Sequence, residues 1–116
     1  MYCRARTVIR FEALNASEDF VNYDFEWDQE KAKMNRRKHG ISFEQAATVF
    51  KDSRALSTFD DEHSGSEDRW ITMGISAGGG VLIVHHTFEQ VSTRNVRIRI
   101  FSSRKASKQE ISQYAE

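Results

Sequence analysis

The hydrophobic pattern changes its period along the chain, and this change constrains the fold more than any other feature. Residues 43–50 place apolar side chains at positions i, i+3, i+4 and i+7, which is the spacing of one face of an α-helix. Residues 95–102 instead alternate apolar and polar side chains, as a strand with one buried face does. A helical first half followed by strands predicts an α+β domain.

Capping residues place the two helices of the first half. Asp28 is suited to the N-cap of a first helix, which we expect to run to about Lys38 and to end at Gly40, a residue that tolerates the left-handed conformation. Ser42 with Gln45 three residues later forms a capping box that opens a second helix.

The rest of the chain predicts an antiparallel β-meander and a C-terminal helix. The glycine-rich segment 77–80 is typical of a hairpin loop. A further capping box, Ser107 with Glu110, opens the last helix. One sheet face would then pack on the helices and the other would stay open to a ligand. The expected strands are 55–59, 69–75, 81–88 and 95–102.

Length and composition exclude several classes of protein. A chain of 116 residues with 39% hydrophobic and 29% charged residues is typical of one globular domain. No apolar run approaches the ~20 residues that span a bilayer. The basic N-terminus is not followed by the apolar stretch of a secretory signal, and the single cysteine, Cys3, cannot form an internal disulfide. These features predict a cytoplasmic protein that does not contact membranes.

The formal net charge of zero conceals a polarity along the sequence. Residues 23–68 carry seven basic and eleven acidic side chains, a net charge of −4, whereas residues 69–116 carry seven basic and three acidic side chains, a net charge of +4. A positive half favours binding to nucleic-acid phosphates. The alternative is that exposed strands and helices simply carry charge.

No motif for a cofactor or a common nucleophile occurs in the chain: it has no P-loop, nucleophile elbow, CxxC pair or HExxH. An acidic segment that includes Asp60, Asp61 and His63 leaves a metal-dependent hydrolase as an alternative, although such a segment is more typical of a solvated loop.

Arginines offer a route to metal-free RNA cleavage. That reaction aligns the 2′-hydroxyl with the adjacent phosphate and requires a base, an acid and cations that stabilise the phosphorane. Arg97 and Arg99 share one strand face, Arg104 lies just beyond them, and Arg69 opens an earlier strand. The alternative is that Arg97 and Arg99 form the wet side of a half-buried strand.

Histidines could transfer the protons, but each has an ordinary structural explanation. His39 lies where a helix dipole favours a cation, and His63 lies in an acidic loop. His85 and His86 are neighbours on a strand, so they point to opposite faces. A histidine on a strand, such as His86, is more often a structural residue than a catalyst.

The order of several motifs resembles one known family. The blocks that carry the resemblance are FEWD at 25–28, KHGISFEQA at 38–46 and IRIFSSRKA at 98–106. In this order they resemble the BrnT-type toxins of type II toxin–antitoxin systems, over residues 24–116. We therefore interpret residues 23–116 as a BrnT-like toxin domain and residues 1–22 as an N-terminal extension of unassigned role.

The resemblance implies a RelE-like fold and a metal-independent endoribonuclease that needs no cofactor and arrests growth. It also implies a cognate ribbon-helix-helix antitoxin of the BrnA kind. The toxin would associate with DNA only indirectly, through its complex with this antitoxin. A non-catalytic module of the same fold, which only binds antitoxin or nucleic acid, is the alternative.

Position by position, the resemblance suggests these site residues: Lys38, His39, His63, Arg69, Arg99 and Arg104. Arg69 and Arg104 would act on the phosphate, with His63 or His39 in proton transfer. Relatives often carry a basic residue after the hairpin glycine, where this chain has only glycines at 78–80. The RNA-binding candidates are Lys38, Arg97, Arg99 and Lys105.

Overall fold

A computed structural model describes residues 6–14, 20–65 and 67–114. Its elements in chain order are β1 (Arg6–Leu14), β2 (Phe20–Asp28), α1 (Gln29–His39), α2 (Phe43–Ala47), a 3₁₀ helix (Thr48–Lys51), β3 (Leu56–Phe59), a 3₁₀ turn (Asp61–His63), β4 (Arg69–Ile75), β5 (Val81–Thr87), β6 (Glu89–Ser92), β7 (Asn95–Lys105) and α3 (Lys108–Tyr114).

The predicted caps position the first two helices. The Asp28 carboxylate accepts a hydrogen bond from the Glu30 N–H at 2.8 Å, which satisfies one of the free donors at the start of α1. Gly40 ends α1 with a φ of 73°, in the left-handed region that favours glycine. Ser42 caps α2 by accepting from the Gln45 N–H at 3.1 Å. The predicted apolar face of α2 is confirmed at Phe43, Ala46 and Ala47, which are buried, although the helix continues beyond Ala47 as a 3₁₀ helix.

The sheet is mixed, which corrects the expected antiparallel meander. The strand order is β1-β2-β7-β5-β4-β3, with β6 paired to β7. All described pairs are antiparallel except β2 and β7, which run parallel from Asn22–Asn95 to Glu26–Arg99. A parallel pair needs a long connection, and here α1, α2 and most of the sheet lie between the two strands. The α+β class is confirmed.

The hairpin of β1 and β2 extends the sheet at one edge. The two strands pair along their whole length, from Arg6 with Asp28 to Leu14 with Phe20. Arg10 and Asp24 join the strands with a side-chain ion pair. Residues 6–14, which precede the segment that carries the sequence resemblance, therefore belong to the same sheet as the rest of the chain.

Side chains pack on both faces of the sheet, so the expectation of one entirely open face is only half right. The helices α1 and α2 cover the main core. On the opposite face, Tyr114 of α3 packs with Met73 and Ile83 and covers one end. None of the helices in the described part of the chain is long and apolar enough to cross a membrane. The main core consists of Val21, Phe25, Trp27, Ile41, Phe43, Ala46, Ala47, Val49, Leu82, Val84, Val96, Ile98 and Ile100.

Candidate nucleic-acid interface

Phe101 of β7 lies at the centre of a group of positive charges. The guanidinium carbon of Arg69 lies 4.3 Å from the centre of the Phe101 ring, and that of Arg99 lies 5.2 Å away. The ammonium group of Lys31, on α1, lies 5.5 Å from the same point. Cations are attracted to the negative face of an aromatic ring at these distances. We call Lys31, Arg69, Arg99 and Phe101 the Phe101 cluster.

The sheet register brings the two arginines of the cluster together. Arg69 at the start of β4 pairs with Thr87 of β5, and the Thr87 hydroxyl accepts a hydrogen bond from the backbone N–H of Arg99 at 2.9 Å. Arg69 is fixed at the end of its loop because its N–H donates to the Ser64 hydroxyl at 2.9 Å. Two arginines that are thirty positions apart in sequence therefore share one row of the sheet.

A β-bulge sets the position of Phe101. His85 of β5 pairs with Ser102, but the next residue, His86, pairs with Ile100. Phe101 is thus the additional residue on β7 that has no partner on β5. Bulges redirect side chains and are frequent beside active sites. This one places the ring near α1 as well as near the arginines of the sheet.

A groove of about 540 Å³ separates α1 from Phe101. Two of the residues predicted from sequence, Lys38 and His39, line it together with Lys31 and Met34. Lys38 is exposed and His39 is half-buried. The groove therefore joins part of the predicted RNA-binding set to the Phe101 cluster.

Asn35 fixes the distance between α1 and β7. Its side chain is buried, and its Nδ2 donates to the carbonyls of Ile41, at 3.1 Å, and Ser103, at 2.8 Å. Its Oδ1 accepts from the Ser103 N–H at 3.0 Å. Sequence reasoning gave Asn35 no role, because a polar residue on a helix becomes informative only when its partner strand is known.

The other predicted cations of β7 lie outside the cluster. Arg97 pairs with Glu89 at 3.1 Å, in a groove that also contains Glu67. Glu67 forms an ion pair with Arg99. Lys105 is exposed and stands opposite Leu82, whose side chain belongs to the main core, so strand alternation places Lys105 on the helix-covered face.

Arg104 lies on the same face of the sheet as Arg69, but its side chain is paired with α3. Both Arg104 amino groups donate to Glu110 of α3 at 2.9 Å, and this pairing lowers the pKa of the Glu110 carboxyl to about 2. Arg104 pairs with Ile83, four residues along β5 from Thr87, which is about 13 Å at the usual rise of a strand. The structure does not bring Arg104 and Arg69 together on one point.

The described histidines on β5 divide between the two faces. His86 is buried, and its ring nitrogens lie 2.7 Å from the Thr72 hydroxyl and 2.7 Å from the Thr87 carbonyl. Burial lowers the pKa of His86 to about 4, so the ring is neutral and structural. His85 is half-buried on the opposite face, one row from Arg69. Strand alternation predicts only that the two histidines lie on opposite faces. The register of β4 with β5 adds that His85 lies on the face that carries Arg69.

Comparison with known proteins decides the family. A family model described as the ribonuclease toxin, BrnT, of type II toxin-antitoxin systems matches residues 27–110, more than two thirds of the 116-residue chain. The chain belongs to the BrnT toxin family. Its family is therefore one of ribonuclease toxins that act within toxin–antitoxin systems, which implies an RNA substrate and an antitoxin partner.

One solved structure similar to this BrnT family member is the 1.1 Å crystal structure of the Brucella abortus ribonuclease toxin, BrnT. The two chains share 23% sequence identity with a TM-score of 0.49, over 71% of this chain and 94% of that chain. A search of curated proteins finds no match. The segment matched by the BrnT family model contains the whole Phe101 cluster, whereas β1 lies outside it.

The metal alternative stays a prediction for this BrnT family member. Among the side chains that the structure describes, no three of His, Cys, Asp or Glu come together as metal ligands. The alternative depends on His63, whose side chain lies outside the described part of the structure. The proposed role of His63 in proton transfer likewise stays a prediction.

Proposed function

We propose that this chain is a metal-independent endoribonuclease with a RelE-type fold, and that it cleaves RNA beside the Phe101 cluster. The convergence of Lys31, Arg69 and Arg99 on one ring carries the proposal. These cations come from a helix and two strands, so the fold assembles the positive charge at a single point. RNA supplies the complementary negative charge at every phosphate.

The cluster suits phosphate transfer in several ways. The 2′-hydroxyl of one nucleotide attacks the adjacent phosphorus, the bond to the 5′-oxygen breaks, and the products carry a 2′,3′-cyclic phosphate and a 5′-hydroxyl. Arg69 offers a planar guanidinium that stabilises the phosphorane, and Arg99 orients the RNA. One histidine takes the 2′-hydroxyl proton and another acid donates to the leaving oxygen. His39, His63 and His85 are the candidates for these two steps.

The remaining basic residues extend the interface. Arg97 and Arg104 lie further along the same strand as Arg99, Lys38 lies across the groove, and Lys105 ends β7. We assign them to neighbouring phosphates, where a positive side chain contributes through release of counterions. Arg104 reaches a phosphate once the RNA competes with Glu110 for its guanidinium.

A pair of variants tests the proposed role of Arg69. Arg69→Lys keeps the charge and loses the planar fork, and we expect cleavage of a long RNA to fall roughly 100-fold. The matched control is Arg94→Lys, since Arg94 is an exposed arginine between β6 and β7, at the far end of β7 from Phe101. The control should cleave normally. Equal rates for both variants would contradict the assignment of Arg69. A folded, antitoxin-free protein that does not cleave at all would favour the non-catalytic module.

We further propose that the partner is a ribbon-helix-helix antitoxin of the BrnA kind. It inhibits the toxin in the cytoplasm, so that growth continues, and it brings the toxin to promoter DNA. A partner that presents acidic side chains would complement the Phe101 cluster and exclude RNA from it. Induction of this protein should stop growth, and co-expression of the adjacent reading frame should restore it. A neighbouring protein that neither binds nor restores growth would contradict this pairing.

A further inference from the structure

The groove between α1 and Phe101 combines an apolar wall with a positive rim. Met34 and Phe101 supply the wall, and Met34 is 64% exposed although its side chain is large and apolar. Lys31, Arg37 and Lys38 supply the rim. None of the described residues that line this groove is acidic. An apolar surface bordered by cations is the arrangement that binds the base and the phosphate of one nucleotide together.

The position of the Phe101 ring suits stacking with a nucleobase. Phe101 is the bulged residue of β7, so its ring leaves the ladder and contributes to the groove. The guanidinium groups of Arg69 and Arg99 lie over the same ring. A base in the groove would therefore lie next to a phosphate bound by these arginines. Nucleobases stack on aromatic side chains in this way at single-stranded sites.

We propose that this groove binds one unpaired nucleobase of the RNA, stacked on Phe101, and that the cleaved RNA is therefore single-stranded at this point. The inference rests on the proposed ribonuclease function and adds the substrate class. A paired base cannot offer its face to a side chain, because its neighbours in the A-form helix cover it.

Two other grooves of the molecule lack this combination. The groove beside Arg97 also contains Arg99 and Phe88, but four carboxylates line it, those of Glu26, Glu67, Asp68 and Glu89, so acidic side chains outnumber basic ones and repel phosphate. The groove beside Trp70 and Phe88 is aromatic, but among its described lining residues there is no arginine or lysine. Phe59, which packs edge-on against Trp70, provides a control, since it is 42% exposed and lines none of these three grooves.

The test uses binding rather than cleavage. The probe is a single-stranded 2′-O-methyl oligonucleotide, which lacks the attacking hydroxyl and carries 2-aminopurine, a base whose fluorescence is quenched by stacking. We expect Phe101→Leu to weaken binding roughly tenfold and to remove the quenching. The matched control, Phe59→Leu, should bind and quench like the unmodified protein. The same sequence closed into a fully paired hairpin should bind roughly tenfold more weakly.

A second variant keeps the test valid if Phe101→Leu unfolds. Met34→Glu changes an exposed residue, so it should fold normally, and it should weaken binding at least tenfold because it introduces a negative charge into the groove. Folded Phe101→Leu and Met34→Glu proteins that bind and quench normally would overturn the base site. Phe101-dependent quenching in a protein that never cleaves RNA would support the base site and refute the ribonuclease function. Normal cleavage with unchanged binding in both variants would support the ribonuclease function and refute the base site.

Discussion

Replacement of Asn35 by alanine should separate α1 from β7 and thereby damage the interface. The buried Asn35 side chain makes three hydrogen bonds to the backbone, two with Ser103 and one with Ile41. Alanine at this position leaves those backbone groups without their partner. The groove lies between the two elements that Asn35 joins, so its geometry depends on these bonds.

The structure sets the size of the effect. Each hydrogen bond contributes about 1 kcal/mol net, so the loss of all three costs about 3 kcal/mol. Alanine regains about 0.5 kcal/mol because it favours a helix more than asparagine does. We therefore expect the free energy of unfolding to fall by about 2.5 kcal/mol. For a domain of this size that corresponds to a decrease in Tm of about 10 °C.

Urea and thermal unfolding measure this loss, and the 2-aminopurine oligonucleotide measures the groove. The matched control is Asn95→Ala, since Asn95 is half-buried at the other end of β7 and bonds the side chains of Ser92, at 2.6 Å, and Asn22, at 3.1 Å. The control loses two hydrogen bonds, so its free energy of unfolding should fall by at most about 2 kcal/mol, and it should bind RNA normally. An Asn35→Ala protein with a loss below about 1 kcal/mol, or with unchanged RNA binding, would refute the reasoning.

Three further perturbations follow from the charges and hydrogen bonds. Burial lowers the pKa of His86 from 6.5 to about 4, so between these pH values the unfolded chain binds a proton that the folded protein does not. The free energy of unfolding should therefore fall by about 3 kcal/mol as the pH drops from 7 to 4. Urea midpoints that do not change over this range would contradict the prediction. Tyr114→Phe removes a 2.5 Å hydrogen bond to Asp52 and should cost about 1.5 kcal/mol in urea unfolding, whereas an unchanged midpoint would show that this bond does not hold α3. Glu67→Gln releases Arg99 from its ion pair and should bind the oligonucleotide more tightly, with a steeper salt dependence; weaker binding would mean that Glu67 itself orients the RNA.

Local chemistry made the helices predictable from the sequence. Asp28, Gly40 and Ser42 act on residues within a few positions of themselves, so their effect is visible without the fold. The alternation that placed His85 and His86 on opposite faces is local as well. These predictions are confirmed because they depend on few neighbours.

Non-local pairing explains what the sequence did not reveal. The parallel contact of β2 with β7 joins segments about 70 residues apart, and no period in either strand encodes it. The position of Phe101 depends on a register shift between β5 and β7, which appears only when both strands are aligned. For the same reason the resemblance led us to place Arg69 and Arg104 together on the phosphate, whereas the register places Arg69 beside Arg99.

The most direct measurement of the central proposal is cleavage of one oligoribonucleotide in excess EDTA. The comparison is the same molecule with a single 2′-deoxynucleotide on the 5′ side of the cut. The account predicts that the ribonucleotide is cleaved in EDTA, that its product ends in a 2′,3′-cyclic phosphate, and that the deoxy substitution abolishes the cut. Loss of cleavage in EDTA, or cleavage next to the 2′-deoxynucleotide, would contradict attack by the 2′-hydroxyl at a metal-free site.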